Sequence, residues 1–566
     1  MNPALWIASF LLAVAACEAP ADRAVIHVDS LGAVPDGETD SGPAIREAIY
    51  RAKSLGRPVT IKLSKGEYAI WPKNDTYDYQ RFGMATGGED RCCLVIDNAK
   101  DITFAGAGPE TVLSIRNPQF GGIAAEFSTN IVLRDFAVDY DPLPFTQGRI
   151  TSIDEEQGSF VLRLDPGFAE FDHPGFTDPD LCFGNTFDPT ALQHRTGRPL
   201  FLESWDRLSD TEYRLHAAER TPIGTKQLKV GDRYFHCFIR FNRSPVEAWF
   251  VRGVVLKNIT VYAGITIAYL IGHTEESTLI RNCNILPRPR TDRAINVNAD
   301  GIHSFGVRGE FIIEGCDFRD NNDDSINVHN RGLNIKEVLS DREVVLYSEK
   351  FTIKAGDRLY FYDYATKLPI ERLATATEVE ELPGFMERTH YSVAFTPPIP
   401  GLEADSGKRV FNWDACGSGV VIRNNRLTNA GGIKLRCPNA VVENNRLSVA
   451  GGLVMFDIYY YNEGPIPHTM AVRNNDFGGA GIVVGDRWER AAGDRRVRDI
   501  EIVGNRLGEY RPQQITLWSC ENVIIRDNVV TVSGEPAPGD MAEIVDMVDC
   551  ENVAIEDWRV RRQRPK

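Results

Sequence analysis

One short phrase recurs in the C-terminal part of this 566-residue chain and constrains its fold more than any other feature. It starts on an apolar residue, carries Asn at its centre and closes on another apolar residue. The copies are "IRNNRL", "VENNRL", "VRNNDF", "IVGNRL" and "IRDNVV", and their last Asn residues are Asn425, Asn445, Asn475, Asn505 and Asn528. Spacings of 20 to 30 residues are typical of a solenoid, in which each repeat forms one coil.

The same phrase indicates which kind of solenoid to expect. Fainter copies upstream read "NIVLRDFAV", "GVVLKNITV", "STLIRNCNI" and "EFIIEGCDF", short alternating strands without a convincing amphipathic helix between them. We therefore predict an all-β protein built on a right-handed parallel β-helix. Asn suits its corners because it tolerates the left-handed backbone conformation and forms side-chain ladders between coils. Cys437, Cys520 and Cys550 share one place in the repeat, which predicts stacked, buried thiols.

Residues 24–142 are predicted to form an N-terminal cap and the first coils. Ser41 follows Asp40 as a helix-capping signal, and Ala44 to Ala52 is predicted to be helical with Ile45 on its apolar face. The first coil of a solenoid needs such a cover. The stretch "GAVPDGETDSGPAI" also resembles the N-terminal cap of pectate-lyase-like proteins.

Two segments, 143–250 and 331–411, interrupt the coil rhythm. Each begins with a predicted hairpin, and they share the similar phrases "KVGDRYF" and "KAGDRLYF". We predict two small β-barrel-like insertions on one side of the β-helix, where insertions often form the walls of a binding groove. Coils are predicted to fill residues 251–330 and 412–566.

The net charge of −16 and pI near 5.2 leave no broad positive surface. Nucleic acid is therefore excluded as a partner, whereas neutral and cationic ligands are not. Composition does not indicate the oligomeric state.

The phrases "NADGIH" and "NNDDSINVH" begin 23 residues apart, at Asn298 and Asn321. Because neighbouring coils lie about 4.8 Å apart, an offset of one coil predicts that Asp300 and Asp323 lie side by side, with Asp324 next to them. Carboxylates this close cannot all ionise without cost, so one is expected to keep its proton at neutral pH.

A protonated acid beside a charged base is what glycoside hydrolysis requires. The spacing leaves the stereochemistry open, because inversion and retention differ in the distance between carboxyl groups. Two other readings also remain: the aspartates cap turns, or they bind Ca²⁺. His303 and His329 could hydrogen-bond a carboxylate or a sugar hydroxyl, or pack at a corner.

Together with "DIYYYNEGPIPHTMAVRNNDF" and the two insertions, these motifs resemble the α-1,3-galactosidases of glycoside hydrolase family 110. The resemblance implies an exo-acting, inverting enzyme without metal or cofactor, which releases terminal α-1,3-linked galactose from an oligosaccharide or polysaccharide. It implies that Asp300, Asp323 and Asp324 are catalytic. The residues assigned to substrate binding beside them are Asn298, His303, His329, Trp413, Lys434, Arg436 and Glu463.

A more distant likeness is to the polygalacturonases of family 28, which also place an Asn-x-Asp-Gly before an Asp-Asp pair. By that analogy Asp323 is the general acid, while Asp300 and Asp324 hold and deprotonate the water. In "GGIKLRC", Lys434 and Arg436 point to the same side of a strand and could bind an acidic sugar. The family's Gly-His-Gly does not precede them. A glycan-binding β-helix without catalysis is the third possibility.

Aromatic side chains are expected to form the sugar platform. Trp413 follows the second insertion and is the main candidate, with a core position as the alternative. Trp249, Trp488 and Trp518 are expected to be packing or rim residues.

The N-terminal stretch "MNPALWIASFLLAVAACEAP" has an apolar run of signal-peptide length, which predicts export. Val14-Ala15-Ala16-Cys17 resembles the lipobox of bacterial lipoproteins, although no Lys or Arg precedes the apolar run. Residues 1–17 are therefore predicted to be a signal peptide and Cys17 the lipidation site of a periplasmic or outer-membrane lipoprotein. Cleavage near Ala16 or Ala19 without lipid is the alternative.

Mass spectrometry of the mature N-terminus tests the lipid anchor. We expect Cys17 to be the first residue and to carry the added mass of acyl chains. An unmodified N-terminus at Glu18 or later would exclude the anchor while leaving export intact.

Overall fold

The computed structural model describes most of the chain. The described residues are 23–74, 91–173, 183–187, 199–218, 228–238, 243–348, 353–365, 368–370, 373–382, 389–428, 431–448, 452–455, 462–478, 480–485, 496–510, 512–532 and 544–562. Cys17 and Trp488 lie outside these ranges, as do residues 457–461 at the start of the motif "DIYYYNEGPIPHTMAVRNNDF".

The body of the protein is a coil whose strands stack into long parallel sheets, as the repeat predicted. One sheet, called the site sheet below, takes one strand from each of eleven successive coils. In order along the sheet the strands are Cys92–Asp97, Gly121–Glu126, Val246–Trp249, Tyr269–Gly272, Ile302–Phe305, Ile326–Arg331, Ile433–Leu435, Leu453–Met455, Ile482–Gly485, Ile515–Trp518 and Val545–Val548. Every neighbouring pair in this series is parallel.

Two further faces complete each coil. The second sheet contains Ala24–His27, Val59–Lys62, Ile102–Ala105, Thr129–Tyr140, Arg252–Val261, Glu275–Arg281, Glu310–Glu314, Val421–Arg423, Val441–Glu443, His468–Arg473, Val497–Val503, Cys520–Arg526 and Glu551–Glu556. The third face contains Asp36–Asp40, Gly66–Ile70, Thr111–Ile115, Asn284–Ile285, Asp317–Arg319, Arg426–Thr428, Arg446–Ser448, Arg506–Glu509, Val529–Val532 and Arg559–Arg562, and the long strands Thr129–Tyr140 and Arg252–Val261 bend into it. Inward-facing Ile, Val, Leu and Phe side chains fill the space between the three faces.

The repeated Asn residues form the predicted ladder, but the hydrogen bonds of the ladder and the left-handed turn belong to two adjacent positions. The second Asn of each phrase is buried, and its amide connects consecutive coils: Asn445 Nδ2 donates to Asn475 Oδ1 at 3.0 Å. The left-handed conformation belongs to the residue before it, with φ of 55° at Asn474 and 69° at Gly504. One position therefore makes the turn and the next satisfies buried backbone groups.

The predicted helix spans Gly42–Ser54 and packs on the strands Val59–Lys62 and Cys92–Asp97. Ile45, Ala48 and Ile49 face the core. Ser41 is the N-cap residue, but its hydroxyl bonds to Val34, and the Asp40 carboxylate instead accepts the Gly42 N–H at 2.9 Å.

Two small closed barrels leave the coil. The first is an antiparallel ring of Phe145–Asp154, Ser159–Leu164, Glu212–Ala217, Leu200–Arg207, Phe183–Phe187 and Arg233–Cys237. The second is a ring of Leu333–Ser340, Glu343–Ser348, Thr389–Thr396, Ala374–Leu382, Arg358–Asp363 and Lys408–Asn412, with Leu368–Pro369 paired outside it. A two-residue strand, Glu463–Gly464, pairs antiparallel with the end of Ile326–Arg331.

The nine cysteines of the described ranges are free thiols, and eight of them are buried, including Cys92, Cys93, Cys437 and Cys520; Cys550 in the last coil is half-buried. Among the described residues, no helix is long and apolar enough to cross a membrane.

Replacing Asn475 by Ala tests the ladder. The change leaves the buried N–H and amide of Asn445 without their acceptor, so we expect a loss of roughly 2–4 kcal/mol in stability, measured as lower thermal and denaturant midpoints. Asn474→Gly is the matched control, because Asn474 is exposed and Gly504 fills that position in the next coil; its effect should stay within about 1 kcal/mol. Equal losses in the two variants would contradict a special role for the ladder.

Candidate active site

The three predicted aspartates meet at the edge of the site sheet, but in a different register from the expected one. Ile302 pairs with Ile326, and the Gly301 N–H donates to the Asp324 carbonyl at 2.8 Å, so one coil here spans 24 residues rather than 23. Asp300 is therefore aligned with Asp324, and Asp323 precedes it at the bend. The expectation that Asp300 and Asp323 occupy equivalent positions is wrong by one residue.

The carboxylates of Asp300, Asp323 and Asp324 each place an oxygen within 4.8 Å of the other two. Asp300 and Asp324 are almost fully buried, whereas Asp323 is half-buried. Burial, followed by the charges of Asp323 and Asp300, raises the pKa of Asp324 well above its ordinary value, against the opposing effect of Lys434. The trio thus holds a proton at a pH where an isolated aspartic acid would have lost it.

Lys434 follows one coil later, on the strand Ile433–Leu435, and its ammonium lies 2.7 Å from Asp324 Oδ2. Burial lowers the pKa of Lys434, but the Asp324 carboxylate outweighs burial and raises it, so Lys434 remains cationic. This charge compensates part of the negative charge of the trio.

A chain of hydrogen bonds runs from Asp300 away from the trio. Asp300 Oδ2 lies 2.6 Å from His303 Nδ1, and His303 Nε2 lies 2.8 Å from His329 Nε2. On the far side, His329 Nδ1 lies 2.9 Å from the backbone carbonyl of Asn330. Burial lowers the pKa of His329 to about 3, so this imidazole is neutral at physiological pH.

Glu463 lies behind this chain, with Oε1 at 3.6 Å from His329 Nε2 and Oε2 paired with Arg436. Burial raises the pKa of Glu463, but the charges of protonated His329 and of Arg436 outweigh it and lower the pKa to about 2. Since His329 is neutral above about pH 3, Arg436 is the partner that keeps Glu463 ionised at neutral pH.

Barrel contacts fix the backbone that carries the aspartates. Asn298 Nδ2 donates to the Pro144 carbonyl at 3.2 Å, and Gln147 of the first barrel accepts the Ala294 N–H at 2.7 Å. Beside the second barrel, Asn330 Nδ2 donates to the Asn412 carbonyl at 3.0 Å. Sequence reasoning missed these supports, because no motif identifies a barrel residue that bonds to a distant coil.

Several residues assigned to substrate binding are too deeply buried to touch a sugar. Asn298 and His329 are fully buried, and Arg436 is 2% exposed. Each has a structural partner instead: the Pro144 carbonyl, His303 and Glu463, respectively. Sequence pattern places these residues correctly near the aspartates but cannot distinguish the lining of a site from the layer beneath it.

Trp413 does not form the expected platform. Trp413 is 8% exposed and packs between Tyr360 and His468, with ring centroids at 5.6 and 5.4 Å. Its alternative position in the core is therefore the observed one. Trp249 is also buried, and its indole N–H donates to Glu247 at 2.7 Å, while Trp518 is half-buried at the end of its strand.

Two groups of side chains in the described ranges could hold a metal ion by the proximity of their donor atoms. One is the aspartate trio, and the other is His303, His329 and Glu463, again within 4.8 Å of one another. In the first group the Lys434 ammonium already supplies a positive charge, and in the second the two imidazole Nε2 atoms bond to each other. Hydrogen bonds and ion pairs thus account for both groups.

Comparison with known proteins gives the following relatives. The α-1,3-galactosidase A of Streptomyces avermitilis is 25% identical over 80% of this chain and 78% of its own length. The α-1,3-galactosidase A of Bacteroides thetaiotaomicron is 23% identical over 90% of this chain and 92% of its own length. The α-1,3-galactosidase B of the same organism is 23% identical over 56% and 53%. The resemblance predicted from the motifs is thereby confirmed, although no family model matches the chain.

The solved structures that match this chain include an exopolygalacturonase from Thermotoga maritima, with TM-score 0.40, 12% identity, and coverage of 95% of this chain and 93% of that one. An α-1,3-glucanase catalytic unit from Streptomyces thermodiastaticus has TM-score 0.38 and 11% identity over 96% and 71%.

Replacing Arg436 by Met tests how much the buried Arg436–Glu463 ion pair contributes to stability. Glu463 would be left as a buried charge without its guanidinium, and we expect a loss of roughly 3–5 kcal/mol, measured by denaturant unfolding. The added change Glu463→Gln should restore most of it.

The control for Arg436→Met is Arg423→Met, because Arg423 pairs with Glu314 on the partly exposed second sheet. That loss should be about 1 kcal/mol or less. If Arg436→Met and Arg423→Met lower the free energy of unfolding by the same amount, the buried ion pair contributes no more to stability than the partly exposed one.

Proposed function

We propose that this chain is an exo-acting glycoside hydrolase that releases terminal α-1,3-linked galactose with inversion of configuration. The observation that carries the proposal is the trio of Asp300, Asp323 and Asp324, brought within 4.8 Å from two consecutive coils. The α-1,3-galactosidase names of the relatives supply the substrate. The near-complete burial of Asp300 and Asp324 fits a site that admits the end of a glycan chain.

The trio contains the groups that hydrolysis needs. Asp323 is the most exposed of the three and acts as the general acid, donating its proton to the glycosidic oxygen as the C1–O bond breaks. Asp300 and Asp324 hold the water, whose oxygen bonds to C1 while its proton passes to a carboxylate. Two oxygens within 4.8 Å of each other can both accept a hydrogen bond from one water molecule.

The distance between the carboxylates and the resemblance point to different stereochemistry. Most inverting glycosidases separate their carboxyl groups by roughly 6.5–9.5 Å and retaining ones by about 5 Å, so the short spacing taken alone favours retention. We infer inversion because three carboxylates are present, and two of them can position a water while the third protonates the leaving group.

The surroundings of the trio favour a neutral sugar over an acidic one. Lys434 and Arg436 were the cations that could have bound a sugar carboxylate, but they pair with Asp324 and Glu463. A uronic acid would have to break one of these ion pairs or approach uncompensated aspartates. A galacturonan-degrading activity is therefore the weaker candidate.

Galactose release from a panel of substrates tests the proposed function directly. The panel contains α-1,3-, α-1,4- and α-1,6-linked galactosides and polygalacturonate, each with and without EDTA. We expect galactose from α-1,3-linked ends only, unaffected by EDTA. Release of galacturonic acid, an unsaturated product that absorbs in the ultraviolet, or loss of activity on chelation would each overturn the proposal.

Substitutions in the trio test the division of roles. Asp323→Asn removes the proton donor with little change in shape, so activity on a disaccharide should fall on the order of 10²- to 10⁴-fold. An activated aryl α-galactoside needs less protonation and should be hydrolysed with a smaller loss. Asp300→Asn and Asp324→Asn should be impaired on both substrates, because the water must still be activated. Near-normal disaccharide hydrolysis by a folded Asp323→Asn enzyme would assign the acid elsewhere.

Three structural and cellular features belong to the same proposal. We infer a right-handed coil, because crossovers between parallel strands of one sheet are right-handed in nearly all proteins. The helix Gly42–Ser54 is proposed to cover the first coil. Export and lipid attachment at Cys17 would place the enzyme in the periplasm or at the outer membrane of a bacterium.

A further inference from the structure

We propose that His303 and His329 form a relay that fixes one proton beside Asp300 and so makes Asp300 the base that deprotonates the water. This inference rests on the proposed hydrolase function and assigns roles within it. His303 and His329 are then positioning residues that act through Asp300, and they do not touch the sugar.

The argument begins at the buried end of the relay. The Asn330 carbonyl can only accept a hydrogen bond, so the proton of the 2.9 Å contact must lie on His329 Nδ1. Burial keeps His329 neutral, with its pKa lowered to about 3. A neutral imidazole that is protonated on Nδ1 has a lone pair on Nε2, and the tautomer of His329 is therefore fixed.

The tautomer of His329 determines one proton of His303. At 2.8 Å from the lone pair of His329 Nε2, His303 Nε2 must be the donor. In the alternative arrangement, two lone pairs would face each other in a buried site.

One proton remains to be placed, in the 2.6 Å contact between His303 Nδ1 and Asp300 Oδ2. If it lies on nitrogen, His303 is an imidazolium beside an ionised Asp300; if it lies on oxygen, both groups are neutral. The first arrangement gives a charge-assisted hydrogen bond, which is the stronger kind. Oδ2 is thereby occupied, and Oδ1 is the oxygen left to accept a proton from water.

The other charges around the relay agree with an imidazolium at His303. Glu463, ionised by Arg436, lies behind the two rings, and Asp323 and Asp324 lie beyond Asp300. Lys434 opposes them, but it pairs with Asp324 at 2.7 Å. Arg331, whose guanidinium carbon lies 5.0 Å from the centroid of the Phe305 ring, is a further cation near His329 and helps to keep that ring neutral.

This arrangement separates the roles of the two aligned aspartates. Burial and the charge of Asp323 raise the pKa of Asp324, so a proton is held next to Asp323, the general acid, while Asp324 can still accept a hydrogen bond from the water. Asp300 is held as the carboxylate by His303 and takes the proton from water. After product release, Asp300 returns its proton to solvent and the Asp323–Asp324 pair takes one up, which completes the proton balance.

A pair of substitutions at His329 separates the relay from simple packing. His329→Leu removes the hydrogen-bond acceptor of His303 Nε2 and should weaken the imidazolium beside Asp300, so the fall of kcat/KM at acid pH should begin at a higher pH. His329→Gln offers an amide oxygen in its place and should keep the limb closer to that of the wild type. His303→Asn removes the ionisable ring, so the midpoint of the acid limb of kcat/KM should move up by about one pH unit or more. In this variant kcat should fall on the order of ten- to a hundredfold, with KM nearly unchanged.

His216 provides the matched control, because it pairs with Asp206 at 2.9 Å on the first barrel, far along the chain from the trio. His216→Gln should leave the pH profile unchanged. Identical profiles for His329→Leu and His329→Gln, or a change in KM alone, would overturn the relay.

Ring-¹⁵N histidine NMR of the intact enzyme tests the proton positions without substrate. We expect His329 to give the signals of a neutral Nδ1–H tautomer from about pH 4 upward. A Nε2–H tautomer, or titration near the ordinary value of about 6.5, would refute the relay even in an active enzyme. Failure to release galactose would instead refute the proposed function, so the two failures are distinguishable.

Discussion

Parallel stacking of coils is the constraint on which the rest of the structure depends. Adjacent strands of a sheet lie about 4.7–4.9 Å apart, so a repeat of one coil turns residues distant in the chain into immediate neighbours. Between the strands Ile302–Phe305 and Ile326–Arg331 this repeat is 24 residues, which aligns Asp300 with Asp324 and brings Asp323 beside them. The barrel contacts to Asn298 and Asn330 hold the backbone on either side of this cluster, and the buried Asn ladder connects the coils that follow.

The three crowded carboxylates repel one another, and cations and hydrogen-bond donors around them offset part of that repulsion. Lys434 pairs with Asp324, His303 bonds to Asp300, and Arg436 neutralises Glu463 beneath them. Removing one member of a buried pair is far more destabilising than removing the pair. The site therefore behaves as one connected unit, in which the protonation of each aspartate depends on residues that never meet the substrate.

The sequence allowed the fold to be predicted because the determinants of the coil are local. The Asn phrases mark each corner, and alternating strands between them leave little choice but a parallel β-helix. The aspartate trio could be predicted for the same reason, apart from a one-residue error in the coil length. The depth of the side chains around the site could not be predicted. Trp413 is packed between Tyr360 and His468, and His329 lies under His303, because depth there depends on barrel and loop contacts distant in sequence. The sequence also could not show that Asn474 makes the turn while Asn475 makes the ladder hydrogen bonds, because both residues are asparagine.

The anomer of galactose that is released first tests the central claim most directly, namely that Asp300 and Asp324 position a water while Asp323 protonates the leaving group. Proton NMR during hydrolysis of an α-1,3-linked galactoside distinguishes the two anomers before they interconvert. The account predicts β-galactose as the first product. Initial release of α-galactose would mean that one aspartate attacks the sugar itself, as the close spacing of the carboxylates would then allow, and would contradict the assignment of water activation.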